Sequence, residues 1–225
     1  MLLAIDTATA SVTVALHDGV NVIAGGSASG AQAHGEQLAP TIASVLSDAG
    51  VAPMQLTAIV CGVGPGPFTG LRVGIVTARV MAHSLGITAH GVCSLDVMAQ
   101  TALDDVVEDD MSLFTSGFLV ASDARRREVY AATYDSAGRR MSEPVVAKAS
   151  ELLPSWRALH AVGAGAALYA ESFASVGGPL VPTPNSLGRC AARAMAGHRL
   201  VSTEPMYLRR PDVHGHPATK AVTPR

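Results

Sequence analysis

The chain is poor in charged and aromatic residues. Asp, Glu, Lys and Arg make up 15% of its 225 residues, aromatic residues make up 4%, and the formal net charge is −2. This near-neutral balance excludes a general electrostatic attraction to nucleic acid, so any contact with RNA has to be local or indirect. Apolar residues make up 48%, which excludes a disordered chain and indicates a globular protein with a substantial core.

Cysteine is also scarce, and Cys61, Cys93 and Cys190 are far apart with no CxxC spacing. This pattern excludes a disulfide framework and a zinc ribbon, and it predicts reduced thiols. No uncharged apolar run reaches the roughly 20 residues of a membrane span, and the N-terminus has no basic segment typical of an export signal. We therefore expect a cytoplasmic protein.

Common catalytic motifs are missing too: there is no GxSxG, no HExxH, no Walker loop and no paired CxxC. The loop 64–70 could be taken for a phosphate loop, but it has no lysine, and Pro65 and Pro67 have no amide donors. An acid and a hydroxyl after the first strand could still mark a vestigial phosphate site, although such residues also cap ordinary turns. The residues of this possible site are Asp6, Thr7, Gly64 and Gly66.

The most informative stretch is a strand, a loop and a long helix in succession. Residues 56–63 are apolar and β-branched, and glycines and prolines interrupt them before a helix predicted from the N-cap Thr69 to a stop at Gly86. Small residues recur every four positions in this helix, so another backbone can approach closely along one stripe. The stripe consists of Gly70, Gly74, Ala78 and Ala82. Its neighbour is either the chain's own sheet or a partner protein.

The order of predicted elements indicates two lobes. The first lobe starts with an antiparallel meander, a glycine-rich loop at 25–35 and a helix at 35–48. An acidic passage at 104–110 is interpreted as the separation from a second lobe, which begins with a hairpin. We predict lobes over 1–105 and 106–210, with the last helix able to pack back on the first lobe, and a flexible tail over 211–225.

A small basic cluster lies in the predicted hairpin of the second lobe. Arg125, Arg126 and Arg127 precede a strand with Tyr130 and Tyr134 on one face. Three arginines are too few for a nucleic-acid footprint without supporting aromatic residues. A solvated turn and a contact with RNA or an acidic partner both stay open.

Short segments across nearly the whole chain resemble the TsaB (YeaZ) family, bacterial proteins needed to make threonylcarbamoyladenosine in tRNA. The order and spacing of the segments carry the resemblance. They are LAIDTAT at 3–9, HGEQLAP at 34–40, GPGPFTGLR at 64–72, GVCSL at 91–95, DARRREVY at 123–130 and EPMYLR at 204–209. Pro67 departs from the family, which usually has serine there.

The resemblance implies an α/β chain with the actin-like ATPase (ASKHA) fold, in which each of two lobes is built on a mixed sheet. The fold is shared with TsaD, the catalytic paralogue of the glycoprotease (peptidase M22-like) family, which holds its metal with an HxxxH motif. The comparable segment here has His90 but Ser94 at the second position. The family therefore implies an accessory subunit without catalytic residues or a cofactor of its own, with ATP, ADP and metal on partner proteins.

The resemblance also implies a heterodimer with TsaD through the first two helices, docking of the ATPase TsaE on that heterodimer, and contact with tRNA through the complex. Alone, the chain would form a homodimer through the same face. TsaD would then transfer threonylcarbamoyl from threonylcarbamoyl-adenylate to the anticodon-loop adenosine of tRNAs reading ANN codons. A metal-dependent glycoprotease-like peptidase or a small ATPase is the alternative. The predicted interface residues are His34, Leu38, Ile42, Val45, Gly70, Leu71, Gly74, Ile75, Ala78 and Ala82.

Overall fold

The structure is a computed structural model that describes residues 1–30, 33–106, 112–197 and 200–209, apart from the side chain of Ala33. The first half of the chain forms β1 (Leu2–Asp6), β2 (Ser11–His17), β3 (Val22–Ser29), α1 (Ala33–Asp48), β4 (Ala58–Gly62), α2 (Phe68–Leu85), β5 (Thr88–Val92) and α3 (Ser94–Asp105). The second half forms β6 (Phe118–Asp123), β7 (Glu128–Tyr134), β8 (Val145–Lys148), α4 (Pro154–Arg157), β9 (His160–Val162), α5 (Ala164–Leu168), β10 (Ser175–Val176) and α6 (Pro184–Ala196).

The strands form two five-stranded sheets with the same topology. The first sheet has the order β3-β2-β1-β4-β5 and the second the order β8-β7-β6-β9-β10. In each sheet the first three strands form an antiparallel meander, and the last two strands run parallel to the first. The predicted α/β actin-like fold with a mixed sheet in each half is therefore confirmed.

The first sheet is covered on both faces, which explains why β1 is apolar at successive positions. Leu3 and Ile5 point into a core formed with α1 and α2, whereas Leu2 and Ala4 point into a second core formed with α6. A strand buried on both faces reads as a continuous apolar run instead of an alternating one.

Helix α3 links the two sheets. Leu95, Met98 and Ala102 are buried against Phe118 and Tyr134 of the second sheet, and α3 also packs against α6. The opposite face of the second sheet is covered by α5 and by the segment that leads to β10. Because α3 has neighbours on both sides, most of its residues are buried.

The chain returns to the first sheet at its end. Helix α6 begins with Thr183 as N-cap and packs against β1, β2 and β3. Residues 200–209 then run in an extended conformation past β5, where Gly91 and Val201 exchange two backbone hydrogen bonds of 2.9 Å. The last described residues of this segment, 207–209, lie at the opening between the two sheets.

Two local predictions are wrong. The predicted loop 25–35 is in its first part strand β3, because Gly25 and Gly26 pair with β2. A Cβ added to Gly25 would lie 2.4 Å from the Cβ of Pro184, so a small residue is needed where α6 begins. Thr69 does not cap α2, whose N-cap is Pro67 without a side-chain hydrogen bond, although Gly86 ends the helix as predicted.

Parts of two other predictions lie outside the described residues. Asp104 and Asp105 of the predicted acidic passage belong to α3, and residues 107–110 of that passage are not described. The predicted tail 211–225 lies entirely outside the described residues. Within the described part of the chain, every helix is too short or too polar to cross a membrane.

Asp104 ties α3 to α6, and its removal tests how α6 is held. Its carboxylate accepts hydrogen bonds from Gln100 Nε2 (2.7 Å) and Ser186 Oγ (2.8 Å) and forms an ion pair with Arg189 Nη1 (2.8 Å). We expect Asp104→Ala to lower the free energy of unfolding by about 2 kcal/mol, since bonds to a charged acceptor contribute roughly 1.5–3 kcal/mol each and Arg189 is half exposed. Urea unfolding measures the change. Asp105→Ala, at the exposed neighbouring position, is the control; equal stabilities would contradict the role of Asp104.

Candidate functional site

Asp6 ends β1 in a closed polar junction. The residue is 1% exposed; its Oδ1 accepts from the Ala8 amide (2.9 Å) and its Oδ2 from Ser94 Oγ (2.6 Å). Ser94 Oγ in turn accepts from the Gly64 amide at 3.2 Å. Ser94 thus joins β1, the loop after β4 and the start of α3, which is a role that its sequence position alone does not indicate.

Burial dominates the electrostatics of this junction. It raises the pKa of Asp6, and the hydrogen bonds from Ser94 and Ala8 oppose that rise. Gly62 lies beside the carboxyl group, and a Cβ there would be 1.8 Å from Asp6 Oδ2. Position 62 therefore requires glycine, because any side chain there would collide with the Asp6 carboxyl group.

The residues of the predicted phosphate site do come together, but they close on one another. The β1–β2 turn packs on the loop after β4, so that a Cβ on Gly66 would lie 2.5 Å from the Ala8 carbonyl oxygen. Both oxygens of Asp6 are engaged by the chain itself, and Thr7 is fully buried. Asp6, Thr7, Gly64 and Gly66 therefore form a packed junction in this structure, and the phosphate site predicted there stays a prediction.

Thr7 holds α2 against the end of β1. Its hydroxyl donates to the Gly70 carbonyl (2.8 Å) and accepts from the Gly74 amide (3.2 Å). A Cβ on Gly74 would lie 2.3 Å from Thr7 Oγ1. The small-residue stripe of α2 is thus explained by the chain's own sheet.

The structure places most of the predicted partner-interface residues inside the chain, while the interface itself, through the first two helices, stays a prediction. His34 is half buried, with Nε2 2.7 Å from the Thr9 carbonyl oxygen, and the other predicted interface residues are buried in the core of the first sheet. The buried residues are Leu38, Ile42, Val45, Gly70, Leu71, Gly74, Ile75, Ala78 and Ala82. The opposite side of α2 exposes large apolar side chains instead, Val76 at 54% and Val80 at 59%.

Metal ligands do not gather in the described part of the chain, where no three His, Cys, Asp or Glu side chains could hold an ion together. His90 is half buried in β5, opposite Val60 of β4. The cysteines are free and buried, and burial raises the pKa of Cys61 and of Cys93 to about 12. The prediction of unpaired thiols is confirmed, and at neutral pH these groups are protonated and weakly nucleophilic.

An open cavity of about 190 Å³ lies between the two sheets, and we name it the interlobe cleft. The loop before α2, the β6–β7 turn and the C-terminal segment contribute to its walls. Its aromatic and basic lining residues are Phe68, Arg125, Arg126, Tyr130, Tyr207 and Arg209. Sequence reasoning found the arginine cluster and Tyr130 but missed Phe68, Tyr207 and Arg209, because these residues meet only in the folded chain.

Tyr134 does not belong to the cleft. It is 1% exposed, and its hydroxyl donates to Asp96 Oδ1 at 2.8 Å. The two tyrosines do share one face of β7, but Tyr130 reaches the cleft lining whereas Tyr134 lies in the core between α3 and the second sheet.

A methyl group added at position 74 tests the contact between Thr7 and α2. Gly74→Ala places Cβ against Thr7 Oγ1 and should destabilise the isolated chain by about 1–3 kcal/mol through overpacking. Gly35→Ala, a helical position in α1 with nothing within 4 Å of the added Cβ, should stabilise it by up to about 1 kcal/mol. Urea unfolding compares the two variants with the wild type. A Gly74→Ala chain as stable as the wild type would show that α2 is not held closely by Thr7.

The buried Asp6 carboxyl predicts a pH dependence of stability. Its folded pKa is raised above the ordinary value of 3.8, so its contribution is fully present below that pH and is lost as pH rises through the folded pKa. The wild type should therefore lose stability relative to Asp6→Asn on raising the pH from about 4 to 7, because Asn cannot ionise. Urea unfolding at several pH values measures both chains.

Asp18 provides a control of opposite sign. Hydrogen bonds from the Asn21 and Val20 amides lower the pKa of this exposed acid, so the wild type should gain stability relative to Asp18→Asn as pH rises. Parallel pH curves for the wild type and Asp6→Asn would contradict the raised pKa of Asp6.

Comparison with known proteins shows the family to which this chain belongs. The family model described as TsaD, tRNA N6-adenosine threonylcarbamoyltransferase, matches residues 28–175. An uncharacterized protein of Mycobacterium tuberculosis (strain H37Rv) is 41% identical over 216 residues, which are 94% of this chain and 92% of that protein. The chain spans 55% of the length of a similar uncharacterized protein of Mycobacterium leprae.

Relatives with functional names are more distant. The tRNA threonylcarbamoyladenosine biosynthesis protein TsaB of Bacillus subtilis is 32% identical over 155 residues, which are 69% of this chain and 63% of that protein. The solved structure of YeaZ from Pseudomonas aeruginosa superposes with a TM-score of 0.76 at 28% identity, covering 92% of this chain and 99% of that one. The chain belongs to the family of the TsaD model, and within it is similar to the proteins named TsaB and YeaZ.

Proposed function

We propose that this chain takes part in the biosynthesis of threonylcarbamoyladenosine in tRNA as a non-catalytic partner of TsaD. TsaD would transfer threonylcarbamoyl from threonylcarbamoyl-adenylate to the anticodon-loop adenosine of tRNAs reading ANN codons. A TsaC-type synthase supplies the adenylate. ATP, ADP and metal belong to the partner proteins, and the chain works in the cytoplasm.

The observation that carries this proposal is that the chain's own groups occupy both carboxylate oxygens of Asp6. Where the resemblance places the second histidine of the HxxxH motif, the chain has Ser94, whose hydroxyl donates to Asp6. The acid at the end of β1 is then bonded on both oxygens and removed from solvent. A position used for metal chemistry in the catalytic relative is here used to hold the fold together, which supports an accessory role.

The exposed side of α2 is the part of the first two helices that fits a partner. Val76 and Val80 lie one turn apart, and exposed side chains of α1 such as Ala39 and Ala43 belong to the adjacent helix. Apolar side chains one turn apart on a helix form a stripe that a partner helix can cover. We assign TsaD to this face, with self-association through the same face when TsaD is absent and TsaE docked on the heterodimer.

Reconstitution tests the function directly. Threonine incorporation into tRNA is measured with threonylcarbamoyl-adenylate and this chain, TsaD or both. We expect incorporation only from the mixture. Incorporation by this chain alone, or ATP hydrolysis by it that is lost in Asp6→Ala, would instead favour an enzyme and overturn the accessory role.

A charged substitution on the exposed side of α2 tests its assignment to the TsaD interface. Val76→Asp should weaken the complex with TsaD by about tenfold or more, because an unpaired carboxylate would be desolvated in the contact. Sedimentation or titration calorimetry measures the affinity, and threonine incorporation should fall in parallel at limiting concentrations. Val20→Asp, in the β2–β3 turn where Val20 is 81% exposed, is the matched control and should bind like the wild type. Equal affinities for the two variants would exclude this side of α2 from the interface.

A further inference from the structure

The β6–β7 turn holds the arginine cluster in an unfavourable backbone conformation. Arg125, Arg126 and Arg127 have φ angles of 62°, 54° and 63°. The left-handed region costs a non-glycine residue roughly 1–2 kcal/mol, so three in succession are a considerable local strain. Residues held in such conformations concentrate at functional sites. The turn exposes all three arginines, and Arg125 and Arg126 line the interlobe cleft.

Aromatic rings form the facing wall of the cleft. Phe68 and Tyr207 are stacked with ring centroids 5.0 Å apart and an angle of 29° between the rings. Arg72 lies over Phe68 at 3.7 Å and donates from Nε to Tyr207 Oη at 3.0 Å. These contacts fix the orientation of Tyr207, which still exposes 38% of its surface. The ring is therefore an ordered platform at the opening of the cleft.

The lining of the cleft carries more basic than acidic side chains. Asp123 is 3.7 Å from Arg125 Nε and also accepts from the Arg125 amide, and Glu128 pairs with Arg209. Asp123 is the acid among the lining residues, against Arg125, Arg126 and Arg209. The side chain of Arg125 remains 76% exposed despite its contact with Asp123. On a chain with a net charge of −2, the cleft lining is thus locally basic.

We propose that the interlobe cleft binds an unpaired nucleotide of RNA, with the base on Tyr207 and the phosphate at Arg125 and Arg126. Stacking on an aromatic ring beside guanidinium groups is the chemistry by which proteins hold single-stranded RNA. An acidic peptide would use the arginines but not the exposed ring. The proposal rests on the proposed function, in which the substrate is the anticodon loop of a tRNA.

The size of the site favours a single strand over a duplex. A cavity of about 190 Å³ accepts one flat base, whereas a duplex keeps its bases stacked and out of reach. A duplex footprint also needs more cations along its backbone than this turn supplies. The expected ligand is one splayed nucleotide of a loop, with the rest of the tRNA held by the other members of the complex.

Fluorescence anisotropy over a series of salt concentrations tests the proposal. The full chain is titrated with a labelled stem–loop RNA that carries the tRNA anticodon loop, and with a blunt duplex of the same stem. The Arg125→Gln/Arg126→Gln variant should lower the slope of log affinity against log salt by about 1.4, or about 0.7 for each lost phosphate contact. Tyr207→Leu should weaken binding by about fivefold or more and leave the slope unchanged.

Arg139→Gln is the matched control. Arg139 is exposed between β7 and β8, beyond the end of β7 opposite Glu128, and its pairing with Asp135 is a surface contact. This variant should bind the loop RNA like the wild type. Circular dichroism melting of every variant checks that the fold is retained.

Three results would overturn the proposal: equal binding of loop and duplex, a double arginine variant that behaves like Arg139→Gln, or free AMP that binds as tightly as the loop RNA. These results are separate from the test of function. If the mixture with TsaD modifies tRNA while the variants bind RNA like the wild type, only the RNA site is wrong. If the mixture is inactive, the proposed function fails whatever the RNA affinity.

Discussion

The structure depends on the close contact between the end of β1 and helix α2. Thr7 bonds two backbone groups of α2, the Gly70 carbonyl and the Gly74 amide, and this is possible only because Gly74 has no side chain. The contact fixes the angle at which α2 leaves the first sheet. It thereby sets the side of α2 that is buried, the side that carries Val76 and Val80 at the surface, and the position of Phe68 at the opening of the interlobe cleft.

The two sheets share one topology, but the covering elements make them different. The first sheet is enclosed between α1 and α2 on one face and α6 on the other. The second sheet has α3 on one face and shorter helices on the other. The extended C-terminal segment joins the halves, since Met206 donates its amide to the Val63 carbonyl and Arg209 donates to the Ala124 carbonyl. The cleft thus has walls from three distant parts of the chain.

The proposed roles use different surfaces of this scaffold. Burial and two hydrogen bonds withdraw Asp6 from solvent. What remains accessible is an apolar helix side and a basic, aromatic cleft. In the proposed roles one surface binds a partner protein and the other binds RNA, and neither role needs a reactive group on this chain.

The sequence by itself determined the two-lobed α/β class, the helix that ends at Gly86 and the unpaired cysteines, because periodicity, capping and cysteine spacing are local properties. It also determined that something must approach the stripe at Gly70 and Gly74. Only the tertiary structure decided that this neighbour is Thr7 of the same chain, since small residues signal close packing without saying with what. The cleft was likewise decided by the fold. Phe68, Arg125 and Tyr207 are far apart in sequence, and their meeting follows from long-range packing that no local pattern records.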